Sequence, residues 1–373
     1  MIISTDRRVV VIGAGIFGAS TAAQLALRGV EVTLVTEAEP ASGASGRSLG
    51  WLNAFGDQPD AYIELRLRAI ECYRRYVDDH RQCDFIRFPG GIWWGDDDAH
   101  TEAEFHRLSA RNYPVACLTR DEAVAKLPGL SPDGLPDLVV NEPDEGWVEL
   151  ADLVPELIRQ FTSAGGTLIT NAGRCDVELT DGRVTGVTTA ARGRLDADVA
   201  VVSAGASVPS VAGDVTALPD KTPVALLVRT KPVTTPLRAV VNSPRVAIRP
   251  TPNGGLVVDH DWAARSVVQA ADGSYSAPPE VVDELLGEAS AVLAGHPKLT
   301  VERLGIGLKP VPADGLPVIG AVPDVDGYYL AFSHSGATLG LIIGALLADE
   351  ILDGSTSPLL APFRPGRFAR LTD

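Results

Sequence analysis

The sequence predicts a mixed α/β protein of two spatial domains: one built on a doubly wound parallel sheet, the other an α+β unit built on an antiparallel sheet. Three observations predict it. A β-branched run, Arg8 to Ile12, leads through closely spaced glycines into a helix and a second strand, Val30 to Val35, which is one βαβ unit. From Pro223 to Asp261 the pattern changes to short alternating strands broken at Pro232, Pro236, Pro244 and Asn253-Gly254. After Glu302 the apolar, glycine-rich character of the first segment returns. The two domains are therefore expected to be discontinuous, with residues 1–88, 146–216 and 303–373 in the first and 89–145 and 217–302 in the second.

Each element has its own reason. Ala19 to Leu27 alternates small and apolar residues, and Gly29 stands where a helix stops. A loop rich in glycine and serine, Ser42 to Gly50, precedes helical spacing over Tyr62 to Val77. Gly90 to Gly95 reads as a strand, Glu102 to Arg111 and Arg120 to Leu127 as helices, and Ala151 to Ala164 as a longer helix ended by Gly165-Gly166. Short strands follow at 167–169, 184–187 and 197–202, the last closed by Gly205. A helix is expected over Pro279 to Leu293, strands over 317–320 and 328–331, and a final helix over Gly336 to Leu352.

Composition narrows the function. The chain of 373 residues carries 32 basic and 48 acidic side chains, a net charge of −16 that repels phosphate backbones and anionic lipid surfaces, so neither nucleic acid nor membrane is expected as a partner. Cys72, Cys83, Cys117 and Cys175 are scattered and read as reduced thiols; the six histidines are equally dispersed, and no metal site is expected. Val9 to Leu27 is uncharged, but Gly13, Gly15 and Gly18 at fixed spacing mark it as a buried strand and helix rather than a membrane span. A soluble, cytoplasmic protein is the expectation.

Gly13-Ala14-Gly15-Ile16-Phe17-Gly18 is a G-x-G-x-x-G turn between strand and helix. Such glycines permit a tight turn and close backbone approach to a pyrophosphate, which the free N–H groups and dipole of the helix N-terminus then attract. An acid at the end of the second strand would hold the adenosine ribose; Glu37 is the choice, one residue past Thr36, and no basic neighbour suggests a 2′-phosphate. A nicotinamide enzyme would continue with regular βα units, whereas this chain leaves the sheet through Ser42 to Gly50.

The blocks Val10 to Gly18, Ser42 to Ser48, Val201 to Ala206, Gly305 to Pro310 with Asp314 to Gly320, and Ser333 to Thr338 occur in an order that resembles the flavoprotein superfamily of D-amino acid oxidase, glycine oxidase and sarcosine oxidase. The resemblance implies a Rossmann-like FAD-binding domain and noncovalent FAD, because Gly307 stands near the place where tethered relatives carry a cysteine. It implies cofactor contacts from Gly13, Gly15, Ile16, Phe17 and Gly18, from Glu37, and from Ser42, Ser45, Gly46, Arg47 and Ser48. Cys175, then Ser203, Ala204 and Gly205 would follow, with Ser335, Gly336, Ala337, Thr338 and Leu339 at a helix start facing the flavin.

That resemblance also implies oxidation of a C–N bond by hydride transfer to flavin N5, the imine then hydrolysing, with an amine or amino acid as substrate and O2 or another electron acceptor as partner. Relatives hold a substrate carboxylate with an arginine in a G-x-R-P motif; here the residue is Lys309, and Arg249 is the substitute cation. The strand from Gly255 to His260 lacks the lysine that sarcosine-oxidase-like enzymes set over the flavin. Lys309, Arg249 and His260 are thus the catalytic candidates, and Trp51, Asn53, Trp93, Trp94 and His334 the pocket candidates. Asp259-His260-Asp261 reads as a polar strand end. A hydroxy-acid dehydrogenase and a flavin-binding subunit without turnover are the alternatives.

Overall fold

The structure is a computed structural model that describes residues 7–213 and 215–368. Six strands form the first sheet in the spatial order Val318–Ala321, Tyr328–Phe332, Val199–Val202, Arg8–Ile12, Glu31–Val35 and Thr167–Ile169; all neighbours run parallel except the 318–321 edge pair. Side chains alternate across it, as a two-residue period requires. Val9 and Val11 face helices Ile16–Ala26, Leu150–Ser163 and Gly336–Asp353, whereas Val10 and Ile12 face a meander of Cys175–Thr180, Arg183–Thr189 and Gly193–Asp196. A strand buried on both faces must be apolar at every position, which is the run read in the sequence.

Helices 16–26 and 336–353 approach so closely that side chains are excluded at the contact. A Cβ at Gly344 would lie 2.1 Å from Ser20 Oγ, and one at Gly340 would lie 2.3 Å from Ile16 Cγ1. Within the glycine-rich turn, Gly13 has φ +102° and donates its N–H to the Val35 carbonyl at 2.7 Å, while a Cβ at Gly18 would sit 1.8 Å from the Gly13 carbonyl oxygen.

The second sheet has eight strands, in the order Val301–Leu308, Val224–Thr230, Leu256–Asp259, Ala247–Pro250, Val240–Asn242, Gly91–Trp93, Leu138–Glu142 and Ala116–Thr119. It is antiparallel as expected, apart from one parallel pair, 240–242 with 91–93. The boundary placed at residue 303 moves: strand 301–308 is an edge of this sheet, paired along its length with 224–230, so the chain returns to the parallel sheet only at 318. Leu226, Val228, Ile248 and Val258 pack under helix Pro279–Ala291. Their alternates along the same strands, Leu227, Arg249 and Asp259, point the other way. A small sheet of Trp51–Leu52, Ile86–Arg87 and Gly146–Val148 completes the wall between the two large ones.

Among the described residues no helix is long and apolar enough to cross a membrane. The glycine contact between the helices yields a test: Gly344→Ala places a methyl against Ser20 and is expected to lower stability by about 1–3 kcal/mol in denaturant unfolding.

Candidate active site

One cavity of about 960 Å³ runs from the glycine-rich turn to the second sheet. That is the upper end of the range for small-molecule sites. Gly13, Gly15, Ile16 and Phe17 line one end, beside Glu37. The carboxylate of Glu39 accepts from Asn171 Nδ2 at 2.7 Å, whereas that of Glu37 has no partner among the described residues and opens to the cavity. Helix 16–26 begins without a side-chain cap from Gly15 and without an acid in its first turn; Ser45 Oγ accepts the Ile16 N–H at 3.0 Å. The remaining first-turn N–H groups are the anion-binding feature.

Ser42, Arg47 and Ser48 line the adjoining wall, and Ser203, Ala204, Gly205 and Cys175 the opposite one. Ser203 Oγ donates to the Ile12 carbonyl at 2.9 Å, so its hydroxyl pins the turn rather than pointing at a ligand. Burial pushes the Cys175 thiol up to about 11, which keeps it protonated. At the far end, Ser335, Gly336, Ala337 and Thr338 open helix 336–353 onto the cavity with no acid in the first turn. Arg47 Nε is buried with no hydrogen-bond partner, and its guanidinium lies where a Cβ at Gly307 would be 2.8 Å from Cζ. An orphaned buried donor and uncapped helix N-termini at both ends fit an elongated dinucleotide carrying phosphates.

Three of the expected cofactor residues stand back from the cavity. Gly18 serves the strand–helix contact, a Cβ at Gly46 would meet the Ala41 carbonyl oxygen at 2.3 Å, and Leu339 is fully buried in the helix layer.

The substrate candidates divide more sharply. Lys309 reaches the cavity, its Nζ 3.7 Å from an exposed Asp261 carboxylate. His260 and His334 also line it. His260 Nδ1 accepts the Trp262 N–H at 3.4 Å and so caps a short helix, Asp261–Ala264; burial lowers its pKa. His334 is exposed on the cavity lining, where desolvation by the surrounding walls, then Lys309 and Arg66, push it down to about 4.

Arg249 is a correction. Its side chain is fully buried: Nη2 meets Glu149 Oε2 at 3.1 Å, Nη1 donates to the Pro250 carbonyl at 2.9 Å and Nε donates to the Leu49 carbonyl. Arg229 shares the same Glu149 oxygen at 2.7 Å. Burial pushes Glu149 up, but the two guanidiniums outweigh it and the carboxyl lies below its ordinary value. With every group engaged, Arg249 is not placed to hold a substrate.

Trp51 and Asn53 line the cavity, and Trp51 carries its carbonyl to the Thr338 hydroxyl at 3.2 Å. Trp93 and Trp94 do not line it. Trp93 packs with Phe55 and His100, and Trp94 lies on the opposite face among the second sheet's apolar residues. Behind Trp51, whose indole N–H donates to Glu145 at 2.6 Å, two carboxyls are buried side by side. A Cβ at Gly91 would lie 3.0 Å from Oε2 of both Glu142 and Glu145. Tyr113 and Trp51 donate to Glu145, whereas neither oxygen of Glu142 has a partner. Burial, then the Glu145 charge, pushes Glu142 well above the carboxylate range, and burial raises Glu145 to about 7.

Asp259 and Arg66 line the cavity although neither was singled out in the sequence. Arg66 is engaged by the Asn53 and Phe55 carbonyls at 3.0 Å each. Asp259 carried only a weak signal, as the acid that ends the buried apolar run Leu256-Val257-Val258.

Residues 8–350 match the model of a family described as FAD dependent oxidoreductase. The chain belongs to that family. It is an FAD-dependent enzyme of the D-amino acid oxidase superfamily, in agreement with the resemblance read from its motifs. An uncharacterized oxidoreductase of Bacillus subtilis is 26% identical, covering 95% of this chain and 98% of its own. Glycine oxidase of Pseudomonas aeruginosa is 28% identical, covering 96% and 99%. The solved structure of L-proline dehydrogenase from P. horikoshii superposes with a TM-score of 0.82 at 22% identity over 98% of both chains, which shows a shared fold.

Two outcomes follow. Glu149→Gln leaves Arg229 and Arg249 without their shared charge and is expected to cost about 3–5 kcal/mol in denaturant unfolding. A carboxyl whose folded pKa is raised contributes its stability below the unfolded value, near 4.3, and loses it as pH climbs. Melting temperature is therefore expected to fall between pH 5 and pH 8 through Glu142, and to fall less in Glu142→Gln, measured by scanning calorimetry.

Proposed function

We propose that this enzyme oxidises the C–N bond of an amino acid or a secondary amine, with noncovalent FAD as the oxidant. The observation that carries the reading is the continuity of the cavity. The dinucleotide cradle at Gly13 and Glu37 opens without interruption into a chamber lined by Lys309, His260, His334 and Trp51. FAD supplies the two-electron acceptance, so the protein must bind and orient rather than attack.

The N–H groups of helix 16–26 and Arg47 hold the pyrophosphate, Glu37 the ribose hydroxyls, and the N–H groups of Gly336, Ala337 and Thr338 the flavin end. Lys309 is the cation for a substrate carboxylate. It is a point charge without the planar fork of an arginine, so it attracts a carboxylate with less directional constraint. His334, neutral at physiological pH, lines the chamber without competing for that carboxylate. The glycine oxidase relatives support an amino acid as substrate, and the solved iminodiacetate oxidase, 24% identical with a TM-score of 0.78, shows the same fold.

The test is anaerobic addition of D- and L-amino acids, N-methyl amino acids and simple amines to the purified yellow protein. At least one is expected to bleach the flavin band and release ammonia or a free amine in proportion. Bleaching by hydroxy acids alone would replace this reading with a hydroxy-acid dehydrogenase. Admission of air then reads the electron acceptor: recovery of colour with peroxide identifies O2.

A further inference from the structure

On the face of the eight-stranded sheet turned toward the cavity, side chains lie in rows across the strands. One row holds Gly305, Leu227, Asp259 and Ala247, which the strand pairing sets side by side. Leu227, Asp259 and Ala247 all line the cavity. Asp259 is therefore a carboxylate flanked by a leucine and an alanine on its two neighbouring strands. Among the described residues it makes no side-chain hydrogen bond and no ion pair within 4 Å; the nearby ammonium, Lys309, meets Asp261 instead. The side chain is half-buried and opens to the cavity, so an unpaired carboxylate is presented there to whatever occupies the chamber.

The row below shows how the same face treats a charge that is purely structural. Arg229 and Arg249, two residues along their strands, are matched by Glu149 and close off from the cavity. Asp259 has no such counterpart and is left open.

We propose that Asp259 is a specificity-determining residue that binds a positively charged nitrogen of the substrate. This rests on the C–N oxidation reading above and deepens it. With Lys309 on the same wall, the chamber sets an unpaired carboxylate near an ammonium, an arrangement that suits a zwitterion better than a ligand that is only an anion. The charged and titratable groups around Asp259 are Lys309 from the end of strand 301–308, Asp261 and His260 on its own segment, and His334 ahead of the last helix. Burial raises the carboxyl to about 6, with Lys309 opposing and Asp261 adding to the shift. A bound cation requires the ionised form, so affinity for it rises as pH passes from 5 to 7.

The experiment is an anaerobic titration of the FAD-loaded enzyme, followed by flavin absorbance, with pairs of probes that differ only in the nitrogen: glycine and acetate, proline and cyclopentanecarboxylate, benzylamine and benzyl alcohol. The wild type is expected to take a nitrogen-bearing member at lower concentration than its partner. Asp259→Asn should weaken that member at least tenfold, leave the nitrogen-free partner unchanged or tighter, and abolish the pH 5 to 7 rise. Asp259→Glu, which keeps the charge, should retain the preference, and both variants should keep wild-type flavin content, with Asp259→Asn melting no lower than the wild type at pH 7. If the wild type takes neither member of any pair or favours the nitrogen-free one, the inference fails. If amines bleach the wild type and Asp259→Asn alike, with the same preference and pH profile, it fails while the C–N oxidation reading stands. If no amine is bound or oxidised at all, both fall together.

Discussion

A single buried carboxylate joins the two sheets of this enzyme. Glu149 begins the helix that packs against the glycine-rich helix of the parallel sheet, and it accepts from Arg229 and Arg249 on two strands of the antiparallel one. Arg249 extends the tie by donating to the Leu49 carbonyl, in the loop that walls the cavity, and stacks its guanidinium 5.3 Å from the Trp147 ring. Three charges taken out of water are stable only with this much compensation. These contacts hold the elements that wall the cavity at their present spacing.

From that tie the division of labour follows. The parallel sheet contributes helix N-termini, which are built for phosphates, and the antiparallel sheet contributes a face of side chains, which is suited to discrimination among small substrates. The chain alternates between the two because each substrate-side strand must be delivered and then returned to the cofactor side. Strand 301–308 shows the economy of this arrangement, since it forms the edge of one sheet and hands Lys309 directly to the chamber before the chain re-enters the other.

The second buried acidic centre, Glu142 with Glu145, has a different character. It lies behind Trp51 rather than in the chamber, and burial, more than any opposing charge, raises the pKa of both carboxyls. Tyr113 joins it to the backbone of Ala54, and the Trp51 carbonyl continues to Thr338 at the cavity end of the last helix, so the pair sits in the support of that wall. A polar network of this kind specifies one arrangement of the aromatic wall at some cost in stability.

The parallel unit and its glycine-rich turn were legible in the amino-acid sequence. Each depends on neighbours within a few tens of residues, where φ requirements, helix starts and the two-residue period act directly on residue type. The last helix and the alternation of sheets were legible for the same reason. What the sequence could not decide was the fate of individual charged residues. Arg249 and Asp259 stand on adjacent strands of one face, and the sequence offered the first as the substrate cation and the second only as part of a polar strand end; pairing with a residue a hundred positions away buries the first, and the second is left open. The boundary near 303, the withdrawal of Trp93 and Trp94, and the proximity of Glu142 to Glu145 likewise depend on strand register and on which layer covers a face. Those are properties of the assembled sheets, set by the sum of many distant contacts rather than by any local stretch of chain.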